Sequence, residues 1–333
     1  MYSIIDRMNP FLHILVFIVI LFLYLHITQQ YKLGEDLEIY EMDYTNLAHL
    51  NEVCDLKKPV LFSYKDCNPG FFDALDYDAM EQYKSHDLRV LDIRDYWKDN
   101  SNIDYTILSL SSTRALINTD TQSSYFTEGN QLFIDEAGLT AAFRSNDELL
   151  RPAFVIHPIY DIMFGSPNAI TPLRYHTHHR QFMCVVSGKI RIKMTPWKSS
   201  KFLYPYKDLD MYEFRSPINV WKPQRKYFAE MDKLKVLEFD VSAGNMLYIP
   251  AYWWYSIQYG EEPDTIVAGC IYNNITNTLA NLPNLSLYLL QQSNISLRPI
   301  KTNKPLAESD SPIELTDLSN NDVATAKPPI LAE

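Results

Sequence analysis

Apolar residues fall along this chain in three regimes. From Phe11 to Ile27 (FLHILVFIVILFLYLHI) they run almost unbroken, interrupted by His13, Tyr24 and His26. A bilayer core is crossed by about 20 apolar residues, with a lower limit near 17. A helix there satisfies its own backbone, and leucine, isoleucine and phenylalanine favour insertion. The stretch therefore predicts a single transmembrane helix, with residues 1–34 as tail and anchor. A cleaved signal peptide is the competitor, but Thr28-Gln29-Gln30-Tyr31-Lys32 carries no small-residue cleavage pattern, so a retained anchor is preferred.

From 35 to 296 short apolar runs alternate with turn signals, and one domain is predicted. Strand candidates are Pro59–Tyr64, Leu88–Ile93, Phe182–Val186, Lys189–Met194 and Leu234–Val241. The last two alternate with period two, the mark of strands with one solvated face. Val186-Ser187-Gly188-Lys189 reads as a hairpin turn between two of them. Helical stretches are fewer, at about 44–56, 71–84 and 136–149. Many short strands with turn punctuation predict a mainly β fold, a sandwich or barrel with flanking helices. In the third regime, 297–333, Ser, Asp, Asn, Pro and Lys dominate, and a disordered polar tail is predicted.

Composition narrows the function classes. The chain is 47% apolar and 21% charged, the balance of a folded globular protein. A formal charge of −11 with no Lys/Arg run excludes a nucleic-acid binder. Cys54, Cys67, Cys184 and Cys270 show no CxxC spacing, so neither a zinc ribbon nor a thioredoxin motif is present. Cys184 and Cys270 sit in strand-like runs as small buried thiols. A Cys54–Cys67 disulfide is compatible with the sequence but does not follow from it. No P-loop, nucleophile elbow or dinucleotide-binding glycine pattern occurs. Sequons at Asn274, Asn284 and Asn294 tilt the expectation towards a lumenal or external domain. The Asn-, Tyr- and Ile-rich flavour suggests a large DNA virus of protists and a virion-associated role.

An ordered series of segments carries a resemblance. It runs through Lys58-Pro59-Val60, Phe164-Gly165-Ser166, Thr171-Pro172-Leu173, Cys184-Val185-Val186-Ser187-Gly188 and Leu203-Tyr204-Pro205-Tyr206. It ends with Ala243-Gly244-Asn245-Met246-Leu247-Tyr248-Ile249-Pro250 followed by Trp253-Trp254. From about 45 to 275 the chain resembles the cupin-like JmjC family of iron(II)/2-oxoglutarate oxygenases, in the branch containing factor inhibiting HIF. The resemblance implies a double-stranded β-helix, a jelly-roll with its site between two sheets. It also implies a metal held by an H-x-D pair after the Thr-Pro-Leu segment and by a histidine after the tryptophan pair. An x of one residue puts both side chains on one strand face.

The motif is degenerate here. Counted from Thr171-Pro172-Leu173, Arg174 and His176 stand at the H-x-D positions; counted back from Cys184–Gly188, Tyr175 and Thr177 do. The third position falls on Ser256, a poor iron ligand. Thr171, Arg191 and Trp254 are candidate pocket residues, Thr171 as a co-substrate contact. Arg174 facing a barrel mouth is suited to a carboxylate or phosphate, a surface salt bridge being the plainer expectation. His176 and His178 in His176-Thr177-His178-His179 share a face at strand spacing and offer a weak metal pair, completed by His157, Asp161 or Glu238. The plainer reading is a strand end with solvated histidines. The expected function is thus a membrane-anchored, non-catalytic binding or structural module without catalytic residues or cofactor. The alternative is a metal- and 2-oxoglutarate-dependent hydroxylase or another cupin metalloenzyme. Partners expected are the membrane, and a protein or a second copy met through Thr276–Gln292.

Overall fold

Two six-stranded sheets face each other. The computed structural model describes residues 10–99, 103–209, 211–262 and 264–297; the polar tail beyond Leu297 lies outside them. The first sheet holds, in spatial order, β1 (Tyr40–Asp43), β2 (Val60–Ser63), β13 (Asn245–Ile249), β8 (Arg180–Ser187), β15 (Ile266–Asn274) and β6 (Val155–Phe164). The second holds β10 (Tyr206–Asp208), β11 (Glu213–Arg215), β7 (Arg174–Tyr175), β14 (Trp254–Tyr259), β9 (Lys189–Thr195) and β12 (Leu237–Ser242). A small sheet of β4 (Asp104–Ser109), β3 (Asp87–Asp92) and β5 (Tyr125–Thr127) flanks them. This is the mainly β cupin architecture with outlying helices.

The two sheets are buried differently, and the sequence pattern explains how. On β9, Ile190, Ile192 and Met194 point inward while Lys189 and Arg191 stay exposed. On β8 both faces are covered: Met183 and Val185 enter the core between the sheets, while Phe182 and Cys184 pack beneath the helices. A strand buried on both faces reads as a continuous apolar run rather than an alternating one. Beneath those helices Leu50, Phe71, Phe143, Tyr248 and Tyr272 form a second core, and a third, with Leu173, Leu203, Phe214 and Trp254, covers the outer face of the second sheet.

Three local expectations change. The Gly188 turn is not a hairpin: β8 and β9 lie in opposite sheets and do not pair. Gly188 has φ +73°, and a Cβ there would come within 2.5 Å of Thr265 Oγ1, so the tight crossover needs glycine. The helices expected at 71–84 and 136–149 are each three short pieces: Pro69–Ala74, Tyr77–Met80 and a 3₁₀ turn Glu81–Tyr83 in the first, and Gln131–Glu136, Thr140–Arg144 and Asp147–Leu150 in the second, broken there first at Gly138, where φ is +70°. All four cysteines are free thiols, so Cys54 and Cys67 form no disulfide.

The apolar N-terminal run forms α1 (Pro10–Gln30), and within it Leu12–Gln30 has a mean hydropathy of 2.2. It is long and apolar enough to cross a bilayer, its 21 residues rising roughly 31 Å. Its C-terminal end docks on the domain: Gln30 Nε2 donates to Thr276 Oγ1 at 3.2 Å, and the Tyr31 hydroxyl donates to the Ala280 carbonyl. Thr276 and Ala280 belong to a helix labelled α2 here (Ile275–Ala280), followed by α3 (Leu282–Leu297). Asn274 is the N-cap of α2, its Oδ1 accepting from Asn277 N at 2.7 Å, and Asn284 Oδ1 accepts from Lys207 Nζ at 2.8 Å. Two of the three sequon asparagines thus have their side chains engaged, rather than standing free in loops.

Candidate functional site

Between the two sheets lies a cavity of about 320 Å³. Strands β7 and β14 bring its key residues together, because Arg174 and Tyr255 are direct cross-strand partners. Residues directly opposite on antiparallel strands present their side chains to the same face. The Arg174 guanidinium carbon lies 5.6 Å from the centre of the Tyr255 ring, and the His176 ring centre 6.1 Å from it. Arg174, His176 and Tyr255 thus meet at one place. Tyr175 instead stacks on Phe214 at 4.9 Å in the outer aromatic cluster, so the Thr-Pro-Leu register describes the geometry.

The dominant interaction is a buried ion pair. Arg174 donates from Nη1 to Glu128 Oε1 at 2.6 Å and from Nη2 to Glu128 Oε2, with Glu213 Oε1 at 3.6 Å. Arg174 is 8% exposed and Glu128 7%, so this is no surface salt bridge. Burial would raise the Glu128 carboxyl, but the Arg174 guanidinium overrides it and holds the pKa below the usual range. Burial likewise opposes the charge on Arg174, yet Glu128 raises its pKa well above the usual value. A fork-to-fork pair of this kind satisfies both oxygens, though Arg174 Nε is buried with no partner among the described residues.

His176 is buried and His178 half-buried rather than solvated, and three of their four ring nitrogens are engaged. His176 Nε2 faces the Ile249 carbonyl at 3.1 Å and must donate to it, while its Nδ1 accepts from the His178 backbone N–H at 3.2 Å. Both nitrogens are therefore used. His178 Nδ1 donates to Asn273 Oδ1 at 3.2 Å, leaving only its Nε2 lone pair. The two rings stack 5.3 Å apart. Burial pulls His176 well below the ordinary histidine range and His178 down to about 4, so both are neutral at physiological pH. Asp161 lines the same cavity and accepts from the backbone N–H groups of Gly129, Asn130 and Ile162, at 2.9, 2.8 and 2.9 Å. Burial nonetheless raises its pKa to about 6.

Other sequence candidates lie elsewhere. Ser256 faces away from the cavity: its Oγ donates to the Thr171 carbonyl at 2.6 Å and accepts from Trp221 Nε1 at 2.8 Å. Tyr255, one residue earlier, holds the inward position, so the count that placed Ser256 there was off by one. Thr171 is consumed structurally, Oγ1 accepting from Ile257 N at 2.9 Å. Trp254 lies in the outer cluster with Nε1 on Ser200 Oγ at 2.7 Å. Arg191 projects from the exposed face of β9 to Asp240 at 3.0 Å, outside the cavity. Thr177, by contrast, does line the cavity, but it is buried and its carbonyl accepts from Asn277 Nδ2 at 2.9 Å. Glu238 pairs with Lys193 at 3.3 Å on the outside, and His157 is exposed.

The cupin-like domain family matches residues 81–275, and the matched stretch contains both sheets' central strands and the cavity. The chain belongs to the cupin-like JmjC family. JmjC domain-containing protein D of Dictyostelium discoideum is 30% identical over 94 residues, 28% of this chain and 21% of that protein. HSPB1-associated protein 1 of Bos taurus is 29% identical over 101 residues, 29% of this chain and 20% of that protein. Lysine-specific demethylase JMJ30 of Arabidopsis thaliana is 28% identical over 95 residues, 28% of this chain and 22% of that protein. The aligned part thus spans about a fifth of the length of these relatives.

The residues present do not fit the iron site that the resemblance implies. At the three positions stand a guanidinium locked in an ion pair, an imidazole with both nitrogens engaged, and a phenol whose hydroxyl accepts from Gln181 Nε2 at 3.2 Å. A guanidinium has no lone pair to give a cation. Among the described residues no three His, Cys, Asp or Glu side chains are placed to hold a metal. Sequence reasoning missed Glu128, Gln181 and Tyr255. Period-two counting on β14 from the core residue Ile257 would have found Tyr255; nothing in the sequence marks Glu128, 46 residues before its partner.

Proposed function

We propose that this chain is a membrane-anchored cupin domain that has given up iron- and 2-oxoglutarate-dependent oxidation and serves as a binding or structural module. One observation carries the reading: the Arg174–Glu128 pair occupies the place where the family would gather its metal. The pair lines the cavity, neutralises itself, and offers a cation only a guanidinium without a lone pair and a carboxylate already committed to it. The helix α1 supplies the anchor. Leu287 and Leu290, three residues apart and exposed on α3, supply an apolar face for a protein partner, a second copy being the simplest.

The test uses the purified full chain. Metal content is measured directly, then Fe(II) and 2-oxoglutarate are titrated anaerobically while succinate is followed. The expected result is substoichiometric iron and no succinate above background. Stoichiometric iron with succinate release that depends on 2-oxoglutarate would sink the proposal. A metalloenzyme built on His176 and His178 is the rival, favoured only by their lining the same cavity as Asp161. It requires His176 to surrender its contacts to Ile249 and His178, and the same metal analysis decides it.

A further inference from the structure

A second cavity, of about 710 Å³, opens where α1 meets the domain. One wall is helical: Phe22, His26 and Gln30 recur every four residues on one side of α1. The facing wall includes Phe154, which is 80% exposed, and Ile275, which is 51% exposed. The inner end is basic. Lys57 is only 5% exposed, and among the described residues its ammonium makes no hydrogen bond or ion pair. Its backbone is fixed, with φ +56° and a carbonyl that accepts from Trp253 Nε1 at 3.1 Å, so the residue is held in place. Arg180 lies beside it and is paired with Asp55. Those three charges leave the crevice with a net positive charge. Burial lowers the Lys57 pKa only to about 8, so the ammonium stays mostly charged at neutral pH.

A buried, unpaired cation at one end of an apolar slot asks for an anion that carries a hydrocarbon tail. The slot also lies at the right depth. Ile27 ends the apolar run, Gln30 lies beyond it on the polar side, and Phe22 sits five residues before Ile27, roughly 8 Å into the hydrocarbon. We propose that this crevice seats one anionic phospholipid of the bilayer crossed by α1, its phosphate on Lys57 and its acyl chain between Phe22 and Phe154. The proposal rests on the membrane-anchored reading above. Lipid binding would then lock the angle between anchor and domain.

The test begins with carbonate extraction of membranes carrying the full chain. Release into the soluble fraction overturns the anchoring reading and this inference with it. For the membrane-retained chain, native mass spectrometry from detergent micelles compares added phosphatidylglycerol, phosphatidylcholine and inorganic phosphate. The expected result is one retained phosphatidylglycerol, preferred at least about fivefold over phosphatidylcholine, with no displacement by phosphate. Lys57→Gln should lose the preference, Lys57→Arg should keep it, and Phe154→Asp should weaken retention with Lys57 intact. Equal retention of both lipids, or full displacement by inorganic phosphate, overturns the inference while leaving the anchor standing. So does preserved retention in both Lys57→Gln and Phe154→Asp. An unchanged near-ultraviolet circular dichroism spectrum establishes that each variant has folded.

Discussion

Arg174 and Glu128 define the site because neither charge is tolerable without the other. Removing one partner of a buried pair typically costs about 3–5 kcal/mol, whereas replacing both with apolar groups is often neutral or better. Arg174→Met should therefore destabilise the domain by about that amount in denaturant unfolding, while Arg174→Met with Glu128→Leu should recover most of it. Additive losses in that double-mutant cycle would mean the two side chains act independently. The histidines set a pH dependence. His176, His178 and His179 are all held below the ordinary histidine value of 6.5, His178 to about 4 and His179 to about 2, by burial first. Below pH 6.5 the unfolded chain therefore takes up protons that the folded chain refuses, and stability falls as pH drops from 6.5 towards 4. Asp161 works in the opposite sense, since a folded pKa raised from 3.8 to about 6 gains stability over much of that window. Three groups outweigh one, so the thermal midpoint should drop across the window, and His178→Gln should flatten the slope. A midpoint that stays level or rises on acidification would contradict the burial of these rings.

The strand β14 shows how a single residue of register decides chemistry. Tyr255, Ile257 and Tyr259 face inward, while Trp254 and Ser256 face out. A one-residue error flips every side chain to the wrong face. Restoring a metal site should accordingly need Arg174→His, His176→Asp and Tyr255→His, with Glu128→Gln added so that no carboxylate is left buried and unpaired. That variant is expected to bind Fe(II) close to stoichiometrically by elemental analysis. The same set with Ser256→His in place of Tyr255→His should stay at background and unfold earlier, since an imidazole would be forced between Thr171 and Trp221. Iron binding by the Ser256 variant alone would reverse this assignment of faces. The sequence made β9 and β12 legible because one of their faces meets water, and period two records that. It left the Gly188 connection misread, because a glycine between two apolar runs signals a tight turn without saying whether the next strand pairs back or crosses to the other sheet.

At the scale of the molecule, the family phrases were legible because each is a local packing demand: Gly188 and Gly244 in turns with φ of +73° and +89°, and two tryptophans at the start of β14 that pack into opposite cores. The cavity was not, because its chemistry comes from residues remote in sequence, Glu128 from the flanking sheet meeting Arg174 from the barrel. The relation of α1 to the domain is equally non-local, and it carries its own consequence. The strand β8 starts at Arg180, beside the α1 contact, and ends at Ser187, so the Gly188 and Glu261 turns lie at the far end of the barrel, roughly 25 Å away. Around the α1 end, Phe154, Ile156 and Ile275 are exposed by 80%, 58% and 51%. With α1 crossing a bilayer as proposed, exposed apolar residues gathered beside it would lie most favourably at the lipid–water interface. In vesicles containing the full chain with Cys67→Ser, a polarity-sensitive dye on Phe154→Cys should emit to the blue of the same dye on Glu261→Cys. A lipid-borne quencher should also suppress the first and spare the second. Cys54, Cys184 and Cys270 are buried and resist labelling under native conditions. Equal emission and equal quenching at the two positions would mean that the domain stands clear of the bilayer, with α1 reaching it as a free stalk.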